Sequence, residues 1–375
     1  MRPQSTAAWA AVLSVCLPIS CAGSDPEPTP ETRSFALAFT PWPHAATPAA
    51  VAFTYQEILA NGDWIAHHLD RGVPWQEALD GTPYPAAVEN ELDGLVAATP
   101  VGTPVYLAIT PLNGARDGLA LNWGASGAQP LSPPWDTRGF ADAEVADAFA
   151  SYALDLIGRF QPACLNFAIE ASELALHDAS MFADFVTFEN ALLPQIRAQY
   201  PNLPLMLSVA LKSPGSTDAQ TLASSLPPAI APIDWVGISV YPYVFFEHAD
   251  KGDPANLPAD WLTQALAWSA GKPIAITETG WIAEDLVIPS FSVNVPSDPA
   301  KQQAYLDALF AGCRATQARF CVWFTIADFD DLWNNTLGQD PLAQIWRDTG
   351  LYDGVQVARP ALARWQSERA KPLQQ

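Results

Sequence analysis

The sequence predicts a single α/β domain, a (β/α)8 barrel, on three observations. Eight short strand-like apolar runs are spread from residue 35 toward the C-terminus. Helix-period segments separate many of them, and strands alternating with helices imply parallel pairing through crossover helices. Eight such units are the number that closes a barrel. No Gly-rich phosphate loop follows the first run, which argues against the alternative architecture, a doubly wound open sheet. With 375 residues, 49% of them hydrophobic, the chain can bury a core of barrel size.

Taken in order, residues 1–21 read as an export signal. Arg2 supplies a positive start, and the apolar stretch "AAWAAVLSVCLPIS" is too short to serve comfortably as a permanent membrane span. It ends at Cys21, the expected site of lipid attachment as in a bacterial lipoprotein, with plain secretory cleavage as the alternative. Residues 22–34 are rich in Pro and acid and lack an apolar period, so they read as a tether. The barrel is expected over 35–370. Its runs are "FALAFTPWP", "DWIAHHL", "PVYLAITPL", "CLNFAIEAS", "LPLMLSVAL", "IDWVGISVYPY", "PIAITETGW" and "CVWFTIADF". Helix periodicity is clearest at 142–160, 179–200, 259–270 and 299–313, where apolar residues recur three and four apart. The long irregular segment 113–139, with two Trp, is expected to wall the barrel mouth.

The formal charge of −22, with only 18 Lys and Arg and no basic cluster, excludes nucleic acid and anionic lipid surfaces as partners. The expected location is outside the cytoplasm, with membrane contact only through a lipid on Cys21. Fourteen Trp suggest a heavily packed core or flat apolar platforms, and sugar rings are one ligand with matching apolar faces. Export permits a disulfide. Cys313 and Cys321 are the expected pair, two buried thiols the alternative. No Cys/His spacing resembles a zinc site, so no metal and no cofactor are expected.

A barrel gathers its active residues at the C-terminal strand ends. Those ends carry Trp42, His44, His67, His68, Asn113, Glu170, Ser172, Tyr241, Tyr243, Glu278, Trp281 and Asp328, with Trp323 near them. Glu170 and Glu278 end the fourth and seventh runs, nearly opposite in a ring of eight. An apolar strand that stops on a carboxylate needs a reason, because burying an unpaired charge is costly. Two carboxylates facing across a cleft suit retaining glycoside hydrolysis, in which they stand about 5–5.5 Å apart.

On "AITETGW", "DWVGISVYPY" and "VWFTIADF" the region from Phe35 to about Trp365 resembles a clan A glycoside hydrolase barrel. It is most similar to family 53, the arabinogalactan endo-β-1,4-galactanases, and to bacterial lipoproteins resembling them. The resemblance implies Glu278 as an ionised nucleophile, Glu170 as a protonated acid/base, and Tyr241 touching the nucleophile. It implies an aromatic such as Trp323 under the sugar, and Trp42, His67, Asn113, Ser172 and Trp281 are the further substrate contacts expected. The substrate it implies is a β-linked oligo- or polysaccharide, galactan-like in the narrow sense of that family, and the protein is expected to be a monomer. Two positions depart from the pattern. Ile169 precedes Glu170 where the clan has Asn, which leaves Glu173 as an alternative acid and a non-catalytic carbohydrate-binding barrel as the rival function. The second strand offers His67 and His68 where the clan often has Arg; adjacent in a strand, they face opposite ways.

Overall fold

A computed structural model describes residues 31–374. The signal 1–21, Cys21 and most of the tether lie outside the described residues. Eight strands, all parallel, close a barrel: β1 (Ala36–Phe39), β2 (Trp64–Leu69), β3 (Val105–Ile109), β4 (Cys164–Asn166), β5 (Leu205–Ala210), β6 (Trp235–Val240), β7 (Ile274–Thr279) and β8 (Phe320–Trp323). Each strand pairs with its neighbours in sequence, and β1 pairs with both β2 and β8, which closes the ring. The fold is the (β/α)8 barrel, in one domain. It begins before the expected boundary. Arg33, counted with the tether, is buried and forks onto Asp63, and its backbone bridges Leu373.

Residue alternation along the strands explains where each side chain goes. Outward residues such as Leu37, Ile65, Leu107, Leu165, Leu207, Ile238 and Ile276 meet the helices. Inward positions hold a second apolar set that includes Ala36, Ala38, Ala66, Tyr106, Cys164, Met206, Ala275 and Phe320. Phe320 occupies the barrel floor, with ring centroids 5.1 Å from Trp64, 4.9 Å from Tyr106 and 6.4 Å from Trp235. Small inward residues elsewhere leave room for this plug. At Gly237 an added Cβ would come within 2.8 Å of Thr277 and 2.9 Å of Ser208, so this position has no space for a side chain.

Helices Pro48–Asn61, Ala143–Phe160, Ala179–Gln199 and Pro299–Ala315 form much of the outer layer. Thr47, Asp178 and Asp298 accept hydrogen bonds from first-turn amides and start three of them. The helix expected at 259–270 is instead a single 3-10 stretch, Thr263–Ala267. Adjacent bulky residues, Trp261 and Leu262, are both buried there, and an α-helical turn would carry them to diverging faces. They pack closely over Gly312 of helix Pro299–Ala315. Cys313 and Cys321 are buried free thiols, the alternative to the disulfide.

Glu189 is a misfit in this outer layer. It lies on helix Ala179–Gln199, is fully buried, and neither carboxyl oxygen has a hydrogen-bond partner among the described residues. Burial pushes its carboxyl up to about 9. Between the ordinary carboxylate value and 9, the unfolded chain releases this proton and the folded chain keeps it, so stability falls as pH rises through that window. Glu189→Met should therefore raise stability at pH 7 by roughly 2–3 kcal/mol. Thermal melts from pH 5 to 8 should show a shallower decline for the variant; parallel declines would contradict the assignment.

Candidate active site

The carboxylates expected to face each other do come together at the C-terminal rim, and β6 links them. The Ser239 hydroxyl donates to Glu170 Oε1 at 2.7 Å, and the Tyr241 hydroxyl donates to Glu278 Oε1 at 2.7 Å. Ser239 and Glu278 are also paired neighbours in the sheet register. Glu170 and Glu278 are thus each anchored by hydroxyls two residues apart on one chain segment.

Local backbone irregularities aim both groups. On β7, Ala275 faces inward and simple alternation would send Glu278 outward. The register shifts at this point against both β6 and β8, and the extra residue resets the alternation. Glu278 then faces the barrel, while Thr279 turns to the helix layer and bonds Val240 O and Tyr305. Regular β4 ends at Asn166, and the chain turns at Glu170 with φ of +52°, a left-handed value uncommon for a side-chain-bearing residue. Its amide donates to Ser208 Oγ, which holds the turn against β5.

Opposing influences act on the Glu278 carboxyl, and burial, the largest, leaves it above its ordinary value. Nearby His68 lowers it; the Glu170 charge raises it again, and the Tyr241 hydrogen bond and Arg116 lower it. His68 Nδ1 lies 3.6 Å from Glu278 Oε2. Tyr241 is held well above its usual range, first by burial and then by the Glu278 charge, and so remains a neutral donor. Arg116 stands over Glu170, with Nε 3.6 Å from Oε2 and Nη2 2.7 Å from Asp70. This cation comes from the loop after β3, not from β2. The segment 113–139 was legible as a wall, but a lone Arg inside it gave no sign that the chain would fold back over Asp70.

Glu173, the alternative acid, is occupied by Lys212 at 2.7 Å. Both residues line a cleft of about 180 Å3 together with Arg116, Glu170, Tyr241 and Phe245. Phe245 is exposed on this rim.

Several expected contacts belong to the scaffold instead. His67 faces the helices, bonded to Thr99 Oγ1 at 2.7 Å, and burial pushes it down to about 4; His68 takes the inward position. Ser172 is buried and accepts from the Ala210 amide. Asn113 bonds Asp117 and offers its carbonyl to the Arg116 guanidinium, so it shapes the loop that carries Arg116. Trp281 is fully buried, stacked on Tyr305 at 4.6 Å, and Trp323 is fully buried, donating to Thr349 O. Neither can offer a face to a sugar, because Trp323 lies on the outward side of β8 and Trp281, in the turn after β7, is packed in the same outer layer. Tyr243 donates to Ile345 O, and Asp328 is paired with Arg359. The partly exposed aromatics at the mouth are Trp42, 5.7 Å from Phe324, and Trp346, 5.8 Å from Tyr241. Phe324 follows Trp323 by one residue and therefore has the opposite facing. Asp328, Asp330 and Asp348 lie close enough to suggest a cation site, but Arg347 and Arg359 already pair with them.

No protein-family profile matches the chain, and no curated protein does. Solved structures do. Xylanase 10B from Thermotoga maritima is similar over 89% of this chain and 94% of its own, at 12% identity and a TM-score of 0.61. An exo-β-1,4-mannosidase from Opitutaceae bacterium strain TAV5 is similar over 91% of this chain, at 16% identity and a TM-score of 0.61. The present chain spans 60% of that mannosidase's length. The GH53 catalytic domain of Ignisphaera aggregans is similar over 84% and 87% of the two chains, at 15% identity and a TM-score of 0.53. At these identities the likeness is one of fold: this chain has the barrel that these glycoside hydrolases share.

The placement of the aromatics reverses an expectation in a measurable way. Trp281→Ala and Trp323→Ala should each cost about 3–5 kcal/mol of stability, as large core truncations do. Trp42→Ala should cost less than half as much. Urea unfolding of the three variants checks this, and equal midpoints would contradict it.

Proposed function

We propose that the protein is a retaining glycoside hydrolase acting on a β-linked saccharide, with Glu278 as nucleophile and Glu170 as acid/base. The observation that carries the reading is the shared anchoring of the two carboxylates by Ser239 and Tyr241. Anchors two residues apart bring both carboxyls to the same mouth, as a retaining pair requires. In the first step a Glu278 oxygen attacks the anomeric carbon as the bond to the leaving oxygen breaks, and Glu170 protonates that oxygen. In the second step water attacks the same carbon, gives its proton to Glu170, and Glu278 departs as a carboxylate. Trp42, Phe324 and Trp346 are the rings available for stacking on one side, and Phe245 on the side of Glu170. A galactan-like substrate and a monomeric state belong to the same proposal.

A second reading, saccharide binding without hydrolysis, rests on Ile169. It is buried against the barrel interior, where the clan resemblance would place an Asn that holds the sugar. An apolar side chain cannot supply that hydrogen bond, and such bonds strengthen in the transition state.

Product stereochemistry separates the readings. On an aryl β-glycoside that the wild type cleaves, Glu278→Ala should abolish turnover, and azide should restore it with an inverted glycosyl azide. Glu170→Ala should slow poor leaving groups by about 10²–10⁴-fold, spare good ones, and yield the retained azide. Absence of cleavage across aryl glycosides and β-linked polysaccharides, with saccharide binding intact, would select the second reading.

Export and lipid attachment at Cys21 complete the proposal, supported by the apolar run that precedes that residue. Cys21→Ala should move the protein from the membrane fraction to the soluble one and remove metabolic lipid label; wild-type protein without label would refute the anchor.

A further inference from the structure

We propose that His68, as an imidazolium, is the counter-ion that holds Glu278 in its ionised form, and so acts as a positioning residue for the nucleophile. The inference rests on the hydrolase reading for its kinetic consequence but not for the ion pair itself.

The argument begins with the charges around Glu278. His68 faces it from β2, Tyr241 from the end of β6, Glu170 from the turn after β4, and Arg116 from the loop after β3. Tyr106 and Tyr243 are further neighbours on the β3 and β6 sides, both held neutral chiefly by burial. The ends of β1 and β8 carry Thr40 and Phe324, which do not titrate; beyond β5, Lys212 lines the same cleft and is paired with Glu173 at 2.7 Å. Arg116 is already committed: Nη2 bonds Asp70, Nη1 bonds the Asn113 carbonyl, and Nε points at Glu170. Its charge is shared between Asp70 and Glu170. With Arg116 so engaged, His68 is the basic side chain paired with Glu278.

Geometry supports that assignment. His68 Nδ1 lies nearest Glu278 Oε2, and the Tyr241 hydroxyl donates to Oε1, so the two groups meet different oxygens of the nucleophile. The separation of 3.6 Å is longer than a hydrogen bond and within ion-pair range. Both side chains are largely shielded, at 22% and 16% exposed, so water screens their interaction poorly. The neighbouring His67 cannot substitute, because it points to the helices. The pairing also fits both chemical steps. Attack by Glu278 needs the carboxylate, and its departure from the glycosyl ester regenerates one beside a cation. No proton moves to or from His68 in either step.

The test follows Glu278 directly. The full chain is labelled with carboxyl-13C glutamate, and the Glu278 signal is identified by its loss in Glu278→Gln. In His68→Gln the midpoint of its titration should rise by about one unit or more. In His68→Arg, where the cation is permanent, it should return to the wild-type position or below. The acid limb of kcat/KM on an aryl glycoside should move in the same direction as the NMR midpoint. An unchanged midpoint in His68→Gln would overturn the ion pair, and an unmoved acid limb beside a moved midpoint would overturn its kinetic role. The NMR arm needs no turnover, so a failure of the hydrolase reading shows itself separately as intact coupling without cleavage. Should His68→Gln fold poorly by circular dichroism, His68→Asn carries the same comparison.

Discussion

The packing of Phe320 against Trp64, Tyr106 and Trp235 at the barrel floor is the constraint on which the rest of the structure depends. Eight parallel strands enclose a space that side chains must fill, since a void would forfeit dispersion contacts on every wall. Here four large residues fill the lower end, and small residues give way beside them, Ala36 in register with Phe320 and Ala66 with Tyr106. The filled floor offers an ionised group neither solvent nor room. Polar inward residues therefore appear only toward the C-terminal ends, where Asn166 already bonds Tyr106 and where Ser208, Ser239, His68, Glu170 and Glu278 follow. A bowl closed below and open above is the direct result.

Scarcity of positive charge governs the next level. Against 40 acidic residues the chain has 18 Lys and Arg, and the buried arginines are used in fixed pairs. Arg33 holds Asp63 where its backbone bridges Leu373, and Arg359 ties Asp328, in the connection after β8, to Glu284, in the connection after β7. Arg116 holds Asp70 at the mouth. Removing one partner of such a pair strands the other charge in a poorly solvated place, which is what makes these contacts specify a geometry more than they stabilise a fold. The same scarcity leaves a histidine, not an arginine, to face Glu278.

The supports of the bowl lie one layer outward. Gln302 of helix Pro299–Ala315 donates to the carbonyls of Trp281, Thr349 and Gly350, tying the turn after β7 to the connection after β8. Trp281, Tyr305, Trp323 and Trp365 form a continuous aromatic wall behind those turns. The high Trp content thus serves packing behind the site in large part, and the rings left partly open at the mouth are Trp42, Phe324 and Trp346.

Periodicity by itself determined the eight strands, their order and the rim positions of Glu170 and Glu278, because alternation of apolar runs and helical patterns is a local property of the chain. It also determined that only one of His67 and His68 could face inward. Which one depends on a parity count that starts inside the barrel, at Trp64 and Ala66, and no local pattern marks which face is inside. The facing of Trp281 and Trp323 was lost for the same reason, since a rim residue and a wall residue differ by a single step. The β-bulge that turns Glu278 inward arises from pairing with β6 and β8, where Ser239 lies 39 residues from Glu278 and Trp323 lies 44 from Thr279. The arrival of Arg116 over Asp70, 46 residues distant, is likewise a matter of loop path. Contacts of that range exist only once the ring has closed, so tertiary structure alone decided the charges around the nucleophile.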